Sequence, residues 1–302
     1  MMLLPAKIVD AHHHLWDLSV NDYPWLMRRG ERRFFGDPTP IQRNYELHDF
    51  RSDIGDLPVV QSVHIQVGIA EAAAVDETRW LQAVADNDLA RGMPNAIVAY
   101  ADLSSQSFAM QLAAHRTSAN LRGIRQILGR HSTEDLGSGS SRLLDNPTWK
   151  NNLRQLAETG LSFDLQLTPS QLATAFRVFS CCPELSVAIC HAGSPGAEPA
   201  EFDVWRTGIK LWGSLPNAYC KFSGFGMFDP IWSAQRVQSH FDVVCEAFGP
   251  VRLMFGSNYP VEKLVKSYSN VWYEYANICK HLSAEDRGAL FASNAARFYR
   301  IN

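Results

Sequence analysis

The strongest constraint on this chain is a rhythm. Eight short apolar, β-branched runs recur from one end to the other, at residues 7–11, 59–67, 96–101, 121–127, 161–167, 185–190, 217–223 and 251–256, and each is followed by amphipathic, helix-period sequence. Continuous apolar runs of this length suit strands buried on both faces, and strands separated by helices pair in parallel. Open doubly wound sheets more often carry about five to seven strands, whereas eight units close on themselves. The expected fold is therefore α/β, a (β/α)8 TIM-type barrel, with residues 1–302 forming one barrel domain. A long insertion after the first strand, residues 18–50, distorts it. That insertion ("DYPWLMRRGERRFFGDP" within it) is rich in arginine, proline and aromatics. A loop so long in a compact domain is usually functional, so it is expected to form a lid over the barrel mouth, with Tyr23, Trp25 and Arg28 as candidate contacts.

Local punctuation agrees with the rhythm. Thr168-Pro169 offers an N-cap followed by proline at the first helical position, and Ser283 three residues ahead of Asp286 resembles a capping box before the last helix. The glycine- and serine-rich "LGSGSS" at 136–141 reads as a flexible loop after strand four.

Charge and composition narrow the function. The net charge is −3, from 28 basic and 31 acidic residues with no block of one sign, which gives no electrostatic reason for a nucleic acid or membrane partner. A small-molecule ligand is expected. The start "MMLLPAKIVDAHHH" is too short in its apolar run for a secretory signal, and no later stretch reaches membrane-span length, so a cytoplasmic location is expected. Cys181, Cys182, Cys190, Cys220, Cys245 and Cys279 contain no CxxC pair and read as reduced residues. Neither GxGxxG nor GxxxxGK[ST] occurs, so a nucleotide cofactor lacks its signature.

In a parallel barrel the chemistry sits where strands end, so the polar residues closing each run carry the functional information. The first strand runs into "DAHHHLWD", and side-chain alternation puts His12 and His14 on one face with His13 on the other. The sixth strand ends "AICHAGSPG", placing His191 in the matching position, and the eighth ends "MFGSNYPV", with Ser257 and Asn258. Strand four carries Arg122 and Arg125. A guanidinium is costly to bury unless it binds an anion, so Arg125 points to an anionic substrate, while Arg122 reads as a salt bridge at the barrel wall. Gln166 and Asp164 lie within strand five, Ser223 closes strand seven, and His64 and Gln66 of strand two share a parity that directs both to one cavity.

Taken together, "DAHHHLWD", "YPWL", "LRGIRQIL", "HAGSPG", "KFSG", "MFGSNYPV" and "NAARFY" make the chain resemble the amidohydrolase superfamily, within it the amidohydrolase-2 group of sugar-lactone and pyrone-dicarboxylate lactonases, over nearly its whole length. That resemblance implies a distorted (β/α)8 barrel that hydrolyses carboxylic esters in lactones of acidic sugars or of aromatic catabolism. It makes His12 and His14 the first-strand histidines, His191 the histidine that polarises the carbonyl, and Arg125 a binder of substrate carboxylate. One departure stands out. The family pattern after the eighth strand has aspartate where this chain has Asn258, and an amide cannot take a proton from water as a carboxylate does.

The leading expectation is a hydrolase opening a small acidic lactone. His12, His14, His191 and Asn258 would be catalytic, and Arg125, Gln166, His64 and Gln66 would bind substrate. No cofactor is required on this reading. Were a divalent metal such as zinc held, His12, His14 and His191 would hold it, with the amide a poorer fourth ligand than a carboxylate. A lactone isomerase, in which the substrate's own hydroxyl attacks, is the alternative that Asn258 favours. A metal-dependent decarboxylase and a non-catalytic binding protein are further readings. Trp272, Tyr273 and Tyr275 on a late helix suit either a contact in a homo-oligomer or packing within the barrel wall.

Overall fold

The computed structural model describes residues 4–131, 134, 140–196 and 199–301. Eight parallel strands, β1 (Ile8–His13), β2 (Val59–Ile65), β3 (Ala96–Tyr100), β4 (Leu121–Ile127), β5 (Ser162–Gln166), β6 (Val187–Ile189), β7 (Ala218–Phe222) and β8 (Leu253–Phe255), follow one another in chain order in a single sheet. The seam between β8 and β1 is closed just beyond β8, where Asn258 N donates to His12 O at 2.7 Å and His14 N donates to Tyr259 O at 2.7 Å. Two of the segments singled out in the sequence therefore also complete the barrel.

The interior is filled by Val9, Ala11, Val63, Ile65, Val98, Ala188 and Met254, and the final helix (Asn294–Tyr299) supplies Phe298 and Tyr299 to the same cluster. The outer wall, between sheet and helices, is a larger cluster including Ile97, Ile124, Phe163, Phe222 and Phe255. Burying a Leu, Ile or Phe side chain contributes roughly 1.5–3 kcal/mol, so these two shells drive closure. Within the interior lies a fully buried ion pair, Lys221 with Asp164, and Tyr299 Oη donates to both Asp164 oxygens at 2.8 and 3.1 Å. A pair taken from water is tolerable only when its remaining hydrogen-bonding capacity is met, which the tyrosine does.

Caps form where expected. Thr168 and Gln171 make a reciprocal capping box ahead of helix Leu172–Phe179, and Ser283 Oγ accepts from Asp286 N at 3.0 Å. The insertion begins with short helix Pro24–Met27, and residues between Pro24 and Phe35 line the mouth; a 3-10 turn Thr39–Ile41 and helix Leu47–Ile54 follow, the helix packing Phe50 against His13. All six cysteines are free thiols. Residues 136–139 of the glycine- and serine-rich stretch lie outside the described residues, and Ser140 begins a 3-10 turn. Among the described residues no helix is long and apolar enough to cross a membrane.

The structure chooses between the two readings of the late aromatic helix and corrects the one for Arg122. Trp272 and Tyr275 are buried in the wall and only Tyr273 is exposed, because the helix Tyr268–Ile278 turns its aromatic stripe inward against Phe255 and Trp232. Arg122 makes no salt bridge among the described residues. It lies near the start of β4, not its end, and its Nη1 donates to the carbonyls of Ala119 and Leu121 at 2.7 and 2.9 Å.

Candidate active site

A register shift in β1 sets the site. Val9 and Ala11 face the interior, so simple alternation would send His13 inward as well. An irregularity between Asp10 and His13 resets the phase. Asp10 anchors it from outside, accepting from His12 N at 3.1 Å, Ser257 N at 2.8 Å and Tyr268 Oη at 3.0 Å. His12 and His14 consequently turn toward His191, with ring centroids 5.1 Å (His12 to His14) and 4.5 Å (His12 to His191) apart, while His13 stacks on Phe50 at 4.1 Å outside the sheet.

A cavity of about 300 Å3 opens above this cluster, lined by His14, His191, Asn258, Arg125, Gln66 and Gln166 at its base. The three imidazoles are not equivalent. His14 and His191 line the cavity, but His12 lies beneath them, fully buried, with neither ring nitrogen hydrogen-bonded. His14 Nδ1 lies 2.8 Å from Ile65 O, and His14 Nε2 lies 3.3 Å from the Asn258 side-chain amide. His191 Nδ1 is 3.0 Å from Ser223 Oγ. Gly224 makes room for that ring: its φ is +69°, and a Cβ there would lie 2.5 Å from His191 Nδ1. Gly256 does the same for His12, whose Cβ would meet an added methyl at 2.6 Å. His191 and Asn258 both adopt left-handed backbone, φ +53° and +57°, the kind of local strain that concentrates at functional sites.

Arg125, 4% exposed, donates Nη1 to Gln66 O at 3.1 Å and Nη2 to Gln166 Oε1. Both partners are neutral. Burial and the Arg125 charge lower His14 to about 4. Burial first, then neighbouring cations and imidazoles, hold His12 and His191 well below the usual imidazole range. At neutral pH the cluster is uncharged.

His64 does not reach the cavity. Val63 and Ile65 are the inward residues of β2, so His64 lies on the outer face, 5.8 Å from His13, with Nε2 3.1 Å from Leu15 O. Gln66 lies one residue past the end of the strand and turns over the rim, so the parity that seemed to join the pair does not apply. Asp164 is held by Lys221 below the site, and Ser223 backs His191. Of the lid candidates, Trp25 and Arg28 line the cavity, whereas Tyr23 is buried and does not line it.

Sequence reasoning passed over Arg33, Phe34, Phe35 and Arg130, which also line the cavity. Phe34 stacks on His131 at 5.2 Å and reaches Phe228 at 6.0 Å, and Arg33 Nε donates to Glu134 Oε1 at 2.8 Å, so the lid is tied to loops on the far side of the mouth. The arginine and aromatic density of residues 23–35 was the available signal, but not which of them face inward.

The comparisons agree with this architecture. The family model described as amidohydrolase matches residues 9–301. The chain belongs to the amidohydrolase family. Protein y4mH of Sinorhizobium fredii is 37% identical over 97% of this chain and 98% of its own length. L-fucono-1,5-lactonase of Burkholderia ambifaria is 27% identical over 97% and 96%. An amidohydrolase from Burkholderia multivorans, solved with HEPES and in another crystal form with zinc, superposes at a TM-score of 0.82 with 25% identity, covering 98% of this chain and 100% of that one.

That neighbour binds zinc in one crystal form. Among the described residues of this amidohydrolase no group of three His, Cys, Asp or Glu side chains is arranged to hold a metal ion. The cavity base offers neutral imidazoles and an amide, no carboxylate, and Arg125 beside them repels a cation. Among the described residues only two imidazoles reach the cavity base beside the amide, with His12 buried beneath them, so the set falls short of the three converging protein ligands a hydrolytic divalent ion takes.

Proposed function

We propose that this amidohydrolase hydrolyses a small lactone that carries a carboxylate. The observation that carries the reading is Arg125: a buried guanidinium at the base of a cavity, met only by neutral acceptors, with no carboxylate at ion-pair distance among the described residues. A buried cation left in that state is matched by an anion from the ligand. The lactonase named among its relatives supports ring opening as the reaction, and the cavity's size suits a single small ring.

The reaction follows from the neutral cluster. The Ser223 hydroxyl can donate to His191 Nδ1, which leaves the imidazole proton on Nε2 for the lactone carbonyl oxygen and for the oxyanion that forms there. Arg125 holds the substrate carboxylate and so orients the ring. Asn258 positions water by hydrogen bonding, and His12 packs beneath His14 and His191 and fixes both rings. The lid aromatics Trp25, Phe34 and Phe35 exclude bulk water.

Turnover of L-fucono-1,5-lactone and of a pyrone carboxylate, followed by proton release, tests this. Turnover of the pyrone carboxylate is the expected result, and activity on neither lactone, or on the neutral sugar lactone alone, would remove the reading. Arg125→Ala is expected to weaken binding of the carboxylated lactone by roughly 1.5–3 kcal/mol, the worth of a charge-assisted hydrogen bond, and to leave the neutral lactone little affected. Equal loss on both substrates would show that Arg125 is a structural cation.

A second reading is favoured by one residue. In lactone isomerisation the substrate hydroxyl attacks, so no carboxylate is required to activate water, and an amide at 258 suffices. Heavy-oxygen water separates the two: label in the product marks hydrolysis, and a change of ring size without label marks isomerisation. Asn258→Asp is expected to preserve or raise hydrolysis, since a carboxylate there can take a proton. Loss of all turnover in that variant would favour the isomerase.

A further inference from the structure

The cavity base has no carboxylate to accept the proton of attacking water, and the only carboxylate among the described lining residues, Glu31, sits on the lid with its side chain 59% exposed. Some other lone pair has to serve. Of the two imidazoles that line the cavity, His191 is used as the donor to the carbonyl, which leaves His14.

Resting on the proposed lactone chemistry, we infer that His14 is the general base of this enzyme, with Ile65 O fixing its tautomer and Asn258 holding water against its Nε2. A backbone carbonyl can only accept, so the 2.8 Å contact between His14 Nδ1 and Ile65 O places the ring's single proton on Nδ1. The other nitrogen, Nε2, is then a bare lone pair. It belongs to a residue that lines the cavity, and it faces the Asn258 amide at 3.3 Å. A base whose far nitrogen is held by a third group is the arrangement that nucleophile activation requires. The atom facing the Nε2 lone pair in the structure is Asn258 Oδ1, and a half-turn of the amide exchanges that oxygen for Nδ2, which is otherwise buried without a partner and can donate to the lone pair.

The step balances. Water oxygen bonds to the lactone carbonyl carbon, one water proton passes to His14 Nε2, and the carbonyl electron pair moves onto oxygen beside His191. Collapse breaks the ring carbon–oxygen bond, the departing oxygen takes the proton back from His14 Nε2, and a ring-opened hydroxy acid leaves.

The test uses the 302-residue chain and whichever of L-fucono-1,5-lactone or the pyrone carboxylate the wild type opens faster. His14→Gln is expected to lower kcat at least 100-fold while the protein still binds a non-reactive carboxylate analogue of that lactone. Adding Asn258→Asp to His14→Gln is expected to recover a tenfold or greater part of the loss, because a carboxylate then replaces the missing base. His191→Gln with the same Asn258→Asp is expected to recover nothing. A His14→Gln enzyme with near-normal kcat, or a double variant without recovery, would overturn the assignment, as would loss of activity in Glu31→Gln alone. Nitrogen-15 NMR of the wild type, with His14 assigned through its contacts with Ile65, gives an answer even if the variants do not fold. A proton on Nδ1 and none on Nε2 supports the inference, and the opposite tautomer overturns it. That measurement needs no substrate, so a wild type inactive on both lactones would remove the lactone reading without deciding the tautomer.

Discussion

Replacing His191 with alanine is expected to lower kcat/KM about 100- to 1000-fold, or about 2.7–4 kcal/mol, the usual loss when one oxyanion donor is removed from a water-poor site. The size follows from the position of the ring. His191 lines the cavity, is backed by Ser223 at 3.0 Å, and is uncharged because burial and Arg125 disfavour its protonated form. A neutral donor aimed at a developing oxyanion is worth more in the transition state than in the ground state, so the loss should appear in kcat with binding largely kept. His191→Ala also leaves a gap above Ser223 and Gly224, so its melting curve belongs beside the kinetics. An enzyme that folds normally and keeps its rate would show that the carbonyl is polarised elsewhere.

The second large effect is on stability. The fold is expected to lose about 4 kcal/mol for each pH unit between pH 6 and 5, an amount that matters against a typical total of about 5–15 kcal/mol. Six imidazoles are held far below their ordinary value of 6.5 by burial, His12, His13 and His191 well below it, His14 and His115 to about 4 and His64 to about 3, and His240 is lowered to a lesser extent. As pH falls through 6.5 the unfolded chain binds protons that the folded chain refuses, so each of these groups destabilises the fold in acid. Three buried carboxyls act in the opposite sense. Asp10, Glu77 and Glu262 are raised to about 6, 8 and 7, so the folded chain keeps protons there that the unfolded chain has lost, and their contribution fades as pH rises. The imidazoles outnumber the carboxyls by about three protons, each worth about 1.4 kcal/mol per pH unit. Urea unfolding at pH 7, 6 and 5 measures the slope, and a midpoint that does not move would mean that water or a ligand reaches these rings in solution.

The fold was legible because its signals are local. Each strand lies within one or two residues of the apolar run that announced it, and the caps at Thr168 and Ser283 form as their neighbours dictate. Burial on both faces of a parallel sheet writes itself as a continuous hydrophobic run, which needs no knowledge of distant residues. The residues that end those runs were legible for the same reason, and His14, His191, Arg125, Gln66, Gln166 and Asn258 do surround one cavity.

Depth and direction were decided by the tertiary structure. Nothing local reveals that an irregular register in β1 turns His13 onto Phe50, or that β2 ends at Ile65 and leaves His64 outside while Gln66 turns in. Nor does the sequence show that Asn258 comes to lie 3.3 Å from His14, 244 residues away, because that contact exists only once the seam beside β1 has closed. The aromatic stripe of Trp272 and Tyr275 is equally ambiguous until a wall exists for it to pack against. Alternation along a strand fixes which side a residue takes in an ideal sheet, whereas bulges, strand ends and barrel closure fix which side chains meet. The sequence by itself thus determined the scaffold and the kinds of group at its mouth. The packing of the closed barrel decided which of those groups touch, which carry protons and which only support the others.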